Sequence, residues 1–317
     1  MTPWNQVTII GVGLIGGSLG LALKAGGLAR RVVGVGHRQA SLDDARRSGA
    51  ADETTLDPAA GVRESDLVVL ATPVGLFPEI LSRIAPALAP GAVVIDVGST
   101  KVRVVADMEE RVPEGCSCVG CHPIAGSEHR GVAFARADLL RGAVCVVTPT
   151  RRSPPDALRR VVETWEGVGM TVRTLSPQEH DRLLAEVSHL PHVVAAALVR
   201  AASAEAEPLV GPGWADTTRI AGGDPALWRD ILMSNSGEVA AALERFQGML
   251  AAFRSTLRQG DAARIEALLA ESKSRRDRLK QAQVNPGWPP NFAGASAVIP
   301  GRPPNLLGAQ ESLQEPK

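Results

Sequence analysis

Through the first 175 residues, short apolar runs alternate with stretches of helical character. The runs Val7–Ile10, Val32–Val35, Leu67–Ala71, Val93–Val97, Cys118–Cys121, Val144–Thr148 and Thr171–Thr174 have the length and composition of strands. Helical patterns fall between them at Ile15–Ala25, Ser41–Ser48, Leu76–Ala87 and Pro155–Val168. Pro154 and Pro155 suit a helix start, where a missing N–H costs nothing. Strand and helix in alternation predict an α/β domain built on a doubly wound parallel sheet, over residues 1–176.

From Ser176 the strand pattern stops. Three long helical patterns follow: Pro177–Glu205, with Pro191 inside it, then Pro225–Arg258 and Asp261–Gln283. Ser176-Pro177, Asp224-Pro225 and Gly260-Asp261 are helix-opening signatures. The Ala-rich stretch Val193–Ala204 is apolar nearly all round, so it predicts a buried helix covered by a second subunit, in a homodimer. Residues 177–284 therefore read as an all-α domain. Residues 285–317 are rich in Pro, Gly and Asn without period and predict a disordered tail. No internal repeat is visible.

Composition narrows the class. The chain has 317 residues, 34 basic and 34 acidic side chains and no formal net charge. That length suits two domains, and 44% hydrophobic with 21% charged residues is globular. A neutral balance argues against a nucleic-acid partner. No apolar run is expected to reach the roughly 18–20 residues of a membrane span. Met1 to Gln6 lacks the order of a signal peptide, which predicts a cytoplasmic protein. Cys118-Val-Gly-Cys121-His122 matches a haem-attachment spacing, with Cys116 nearby. Without an export signal or a second ligand pair, the expectation is a buried strand with no metal.

The chemistry starts at Gly11-Val-Gly13-Leu14-Ile15-Gly16, which follows a strand and opens a helix. Gly11 allows the tight turn, Gly13 lets a pyrophosphate approach the backbone, and Gly16 allows close helix–strand packing. With Leu14 and Ile15 at the helix start, the motif predicts dinucleotide binding. An acid at the end of the second strand would bond the ribose of NAD; here Val35-Gly36-His37-Arg38 stands instead. His37 and Arg38 could pair with a 2′-phosphate, which favours NADP over NAD. Loops after later strands lead to the same crevice: Thr72-Pro73, Ser99 within Asp96–Lys101, and His122 within Cys121–Glu128. His122 there can take a hydroxyl proton as hydride leaves the same carbon. In the helical region, His189 and His192 sit three apart. Asp216, Arg219 and Trp228 form a second cluster, in which Arg219 is suited to clamp a carboxylate.

These motifs together resemble the prephenate/arogenate dehydrogenase family of tyrosine biosynthesis: G-V-G-L-I-G-G-S, V-G-S-T-K, C-H-P-I-A-G-S-E-H-R-G, S-H-L-P-H and T-R-I-A…D-P-x-L-W-R-D. The resemblance covers roughly residues 5–283. It implies a Rossmann-type domain followed by an all-α dimerisation domain. By resemblance, His122 is the catalytic base on the ring hydroxyl of prephenate, and Ser99 orients it and approaches the nicotinamide. His192 and Arg219 bind substrate, as does Ser127 in the same loop as Glu128. Glu128 and Asp216 gate the entrance, and Trp228 supports it. The implied activity is oxidative decarboxylation of prephenate with hydride transfer to NAD(P)+. Arogenate is the alternative substrate, since nothing in the sequence separates the two.

Departures and rivals bound the reading. The missing ribose-binding acid argues against the NAD form, and the tail from Asn285 is too short to fold as the regulatory or mutase domain of some relatives. A β-hydroxyacid dehydrogenase would rely on a lysine in its second domain, and residues 177–260 contain none. A non-catalytic NADP sensor would have no use for a proton acceptor beside the nicotinamide.

Overall fold

The computed structural model describes residues 2–126 and 129–283. Ser127, Glu128 and the predicted tail 285–317 lie outside the described residues. Eight strands form one sheet in the order β3-β2-β1-β4-β5-β6-β7-β8. They are β1 (Trp4–Ile10), β2 (Ala29–Val35), β3 (Glu53–Thr55), β4 (Leu67–Leu70), β5 (Val93–Asp96), β6 (Ser117–Ile124), β7 (Val144–Thr148) and β8 (Thr171–Thr174). Six helices cover its faces: α1 (Leu14–Ala25), α2 (Gln39–Arg47), α3 (Pro58–Val62), α4 (Phe77–Ile84), α5 (Val102–Arg111) and α6 (Pro155–Gly167).

The sheet is parallel except at one seam. β6 pairs antiparallel with β7, through His122↔Val146 and Cys121↔Val147, so the wholly parallel expectation is corrected there. Successive residues of each strand alternate between two apolar cores. Leu67 and Val69 face one with Leu19, Leu23, Val161 and Trp165 of α1 and α6. Val68 and Leu70 face the other with Phe77, Leu81, Val104 and Met108 of α4 and α5. Each such fully buried side chain is worth ~1.5–3 kcal/mol of transfer energy. Cys118 and Cys121 fall on opposite faces, in different cores, so the two thiols cannot chelate one ion.

Among the described residues, six α-helices follow the last strand: α7 (Pro177–Leu184), α8 (Leu190–Ala201), α9 (Pro212–Thr218), α10 (Pro225–Ser234), α11 (Ser236–Gln259) and α12 (Ala262–Gln283). Ser176 opens α7 with a capping box, its side chain and that of Glu179 bonding each other's backbone amides. Pro191 does not break the run. A π-helical turn, Ala185–His189, precedes it and places Pro191 in the first turn of α8, where no helical N–H is required. The pattern read as one helix over 225–258 is two, parted at Asn235.

Two further expectations change. The helical run Pro177–Ala201 is long and apolar enough, by length and composition, to cross a bilayer, although no such run was expected. It is tied into the protein through His180, Asp181 and His189, all buried. The helix read as running to Glu205 ends at Ala201, and the stretch Val193–Ala204, expected to lie under a second subunit, has only Ala195 buried within the single chain. Leu198 and Val199 are more than one-third exposed.

Candidate active site

The carboxyl ends of β1, β4, β5 and β6 converge on a crevice where the strand order reverses between β1 and β4, the position at which open α/β sheets bind ligands. Gly11 has φ +105°, and a Cβ there would lie 2.5 Å from the Ala71 carbonyl oxygen. A Cβ at Gly16 would lie 2.2 Å from the Gly11 carbonyl oxygen. Both glycines are thus required for α1 to sit against β1 and β4. Gly13 differs: nothing lies within 4 Å of its would-be Cβ. That open space fronts the amino end of α1, which has no side-chain cap. The first helical bond is Gly17 N–H to Gly13 C=O, leaving the amides of Leu14, Ile15 and Gly16 without helical partners. This is the cradle that the diphosphate of a dinucleotide requires.

Around the cradle, Thr72 is half-buried and Pro73 exposed in the loop after β4. Ser99 is half-buried after β5. His37 and Arg38 are exposed after β2, with Arg38 preceding the first turn of α2. Gly126 borders the cradle, since a Cβ on it would stand 3.9 Å from Ile15 Cδ1.

His122 lies within β6 rather than beyond its end, and is 8% exposed. Its Nδ1 is 2.8 Å from Nε2 of His180, and Nδ1 of His180 is 2.8 Å from Oδ1 of Asp181. Burial pushes the His122 pKa well below the usual histidine value, reinforced by His180, Lys101 and His189. Burial lowers His180 too, against the pull of Asp181. His122 is therefore neutral at pH 7. The hydrogen bond that orients it is made with His180; the resemblance assigns that role to Ser99. Ser99 instead has its backbone beside His189.

Beneath His122, Lys101 and Asp96 form an ion pair with neither side chain exposed. Asp96 also accepts the Gly98 amide at 2.7 Å and the Cys121 amide at 2.9 Å, so it holds the strand that carries His122.

The opposite wall is helical. His192 stacks on Trp228, and His189 meets the same indole edge-on at 6.3 Å between centroids. Arg219 begins the turn after α9, exposed, close enough to His192 for its charge to depress that ring's pKa, below the larger effect of burial. Asp216 is exposed on α9. The structure thus gathers His122 and Ser99 on one side and His192, Trp228 and Arg219 on the other, with His189 between them, beside the Ser99 backbone and edge-on to Trp228. Arg130, beyond the undescribed Ser127 and Glu128, pairs with Asp224 at the start of α10.

Sequence reasoning missed His180, Asp181 and Asn235. A signal for the first two was present: Pro177, His180, Asp181 and Leu184 form the buried face of α7, so polar residues occupy the positions of an apolar stripe. Buried polar groups in such positions must find partners.

Residues 19–174 match the model of the prephenate dehydrogenase nucleotide-binding domain, and residues 176–271 that of the prephenate dehydrogenase dimerization domain. A prephenate dehydrogenase of Bacillus subtilis is 32% identical over 88% of this chain and 77% of its own length. A cyclohexadienyl dehydrogenase of Zymomonas mobilis is also 32% identical, over 88% of this chain and 98% of its own. Among solved structures, prephenate dehydrogenase from Aquifex aeolicus, in complex with hydroxyphenyl propionate and NAD+, superposes with a TM-score of 0.82. It is 34% identical, covering 87% of this chain and 98% of that one.

Proposed function

The chain belongs to the prephenate dehydrogenase family, and from that premise we propose that it converts prephenate to 4-hydroxyphenylpyruvate and CO2, passing hydride to NAD(P)+, as a step of tyrosine biosynthesis. The observation that carries the reading is a buried histidine, His122, bonded to His180, on the strand whose following loop brings Gly126 beside Ile15 of the dinucleotide cradle.

A dinucleotide whose diphosphate lay on the Gly11–Gly16 cradle would supply the hydride acceptor, its nicotinamide. His122 takes the proton of the ring hydroxyl as hydride departs from the same carbon. The carbonyl so formed draws in the electron pair of the ring–carboxylate bond; CO2 leaves, the ring becomes aromatic, and the phenolate oxygen takes back the proton held on His122. Aromatisation makes the step effectively irreversible, so the protein's task is alignment and charge complementarity. Arg219 and His192 hold a substrate carboxylate on the helical wall. Trp228 keeps His192 in place, while Ser99 would lie toward a bound nicotinamide. Ser127, Glu128 and Asp216 are assigned to substrate binding and the site entrance by the resemblance to the family alone.

Gly36, His37 and Arg38 favour NADP, because no carboxylate repels a 2′-phosphate there and Arg38 is free to pair with one. The all-α part, from Pro177, assembles the chain as a cytoplasmic homodimer, its exposed Leu198 and Val199 covered by the partner. A second substrate, arogenate, is favoured to the extent that the Zymomonas relative is a cyclohexadienyl dehydrogenase.

Initial rates with prephenate and with arogenate, each with NAD and with NADP, test the reading. Prephenate turnover that is faster with NADP is expected, with a roughly 10²–10⁴-fold loss of kcat in His122→Asn. Turnover of arogenate alone would move the specificity. Bound NADP without turnover of either substrate would sink the enzyme assignment in favour of a sensor.

A further inference from the structure

We infer that His180 and Asp181 are positioning residues that fix which nitrogen of His122 carries its proton. The inference rests on the reading of His122 as the proton acceptor.

Asp181 sets the direction. Its Oδ1 accepts the Lys101 N–H at 2.7 Å and its Oδ2 accepts the Val102 N–H at 2.9 Å. These amides open α5, where the helix dipole favours an anion. Asn235 holds the same segment from the other side: its Nδ2 donates to the Asp181 carbonyl at 2.8 Å and lies 3.1 Å from His189 Nδ1. Asp181 is thus fixed with only acceptor oxygens toward His180, so His180 Nδ1 donates to Oδ1. In a neutral imidazole one nitrogen donates and the other accepts. His180 Nε2 therefore accepts, and its partner, His122 Nδ1, donates. His122 Nε2 is left with its lone pair, the form that can receive a hydroxyl proton. The opposite tautomer would present an N–H to the hydroxyl and could not act as a base. When His122 becomes cationic, the Asp181 carboxylate at the far end of the chain of bonds offsets the charge.

Nitrogen-15 NMR of the histidine-labelled full-length chain reads the tautomer without reference to activity, with His122→Asn assigning the resonances among six histidines. The expected result is His122 protonated at Nδ1 and bare at Nε2. Asp181→Asn can turn an amide toward His180 Nδ1, reverse both bonds and put the proton on His122 Nε2. That variant, and His180→Leu, should lose roughly 10²-fold or more in kcat. Substrate KM and cofactor Kd should stay within about threefold, since neither residue is placed on a ligand. His180→Gln, whose Oε1 can accept from His122 Nδ1, should recover most of the loss. A wild-type His122 protonated at Nε2 overturns the inference, as does a folded Asp181→Asn or His180→Leu with unchanged tautomer and kcat. If those variants fail to fold, the wild-type spectrum still decides. If the tautomer is as stated and prephenate is not turned over, the positioning stands and the proposed function falls.

Discussion

His192 lies flat on the indole of Trp228, ring centroids 3.2 Å apart and planes within 22°. The two residues come from separate helices, α8 and α10, and the contact is what holds His192 toward the crevice. An aromatic pair of this kind contributes ~0.5–1.5 kcal/mol beyond its buried area, which corresponds to roughly 2–10-fold in an equilibrium constant. Trp228→Ala should therefore raise the KM for prephenate by about that factor, with kcat less affected. Steady-state kinetics at saturating cofactor checks it. An unchanged KM would remove Trp228 and His192 from the substrate wall.

The glycine cradle separates a folding requirement from a binding one. A side chain at Gly13 meets nothing within 4 Å, and its φ of −90° suits any residue. Gly13→Val should fold with wild-type stability and lose cofactor affinity, because the valine occupies the diphosphate's space. Gly16→Ala places a methyl 2.2 Å from the Gly11 carbonyl and should cost ~1–3 kcal/mol of stability. Urea unfolding together with cofactor titration resolves the two effects. Full cofactor affinity in Gly13→Val would contradict the assignment of the cradle.

Hydropathy made the sheet legible because buried strands announce themselves as apolar runs, and β1, β4 and β5 do. β3 is Glu53-Thr54-Thr55, three polar residues on the sheet edge, and hydropathy carries no trace of it. Strand direction is equally invisible, so the antiparallel pairing of His122 with Val146 could not be foreseen. The site divides the same way. His122, His192 and Arg219 are singled out by the short motifs that carry them. His180 and Asp181 were not, because their meaning depends on partners 58 and 80 residues away, at His122 and Lys101. Placed beside the Ser176 capping box, they read as ordinary polar residues of a first turn.

Arg219 is exposed on the helical wall, and its guanidinium is close enough to His192 for its charge to lower that ring's pKa. A charge-assisted hydrogen bond to a carboxylate is worth ~1.5–3 kcal/mol, or roughly 10–150-fold. Arg219→Ala should raise the KM for prephenate by that order while leaving cofactor binding intact. Arg219→Lys should recover only part, since lysine cannot offer the planar pair of donors. If Arg219→Ala leaves KM unchanged, the carboxylate is held elsewhere.

Acid should act on this protein twice, through the same buried histidines. His122 faces His180 of α7, His189 of the π turn and Lys101 at the start of α5, with Asp96 and Asp181 bonded to the surrounding segments. Burial is the largest cause of its lowered pKa, so it stays neutral as pH falls through 6.5 and protonates only below. The acid limb of kcat/KM should lie below pH 6.5 for that reason. Stability follows from the same shifts. His189, lowered by burial to about 4, binds its proton more readily in the unfolded chain, where it titrates near 6.5. Between those values the unfolded state holds more protons, so stability must fall as pH falls from about 6.5 toward about 4. Below about 4 both states are protonated at His189 and that contribution ends. Urea midpoints at pH 7.5, 6 and 5 would show the decline, and His189→Gln should flatten it. An acid limb of kcat/KM above pH 6.5 would mean that His122 is not the titrating base, and a midpoint independent of pH over this window would mean that the buried histidines titrate alike in the folded and the unfolded chain.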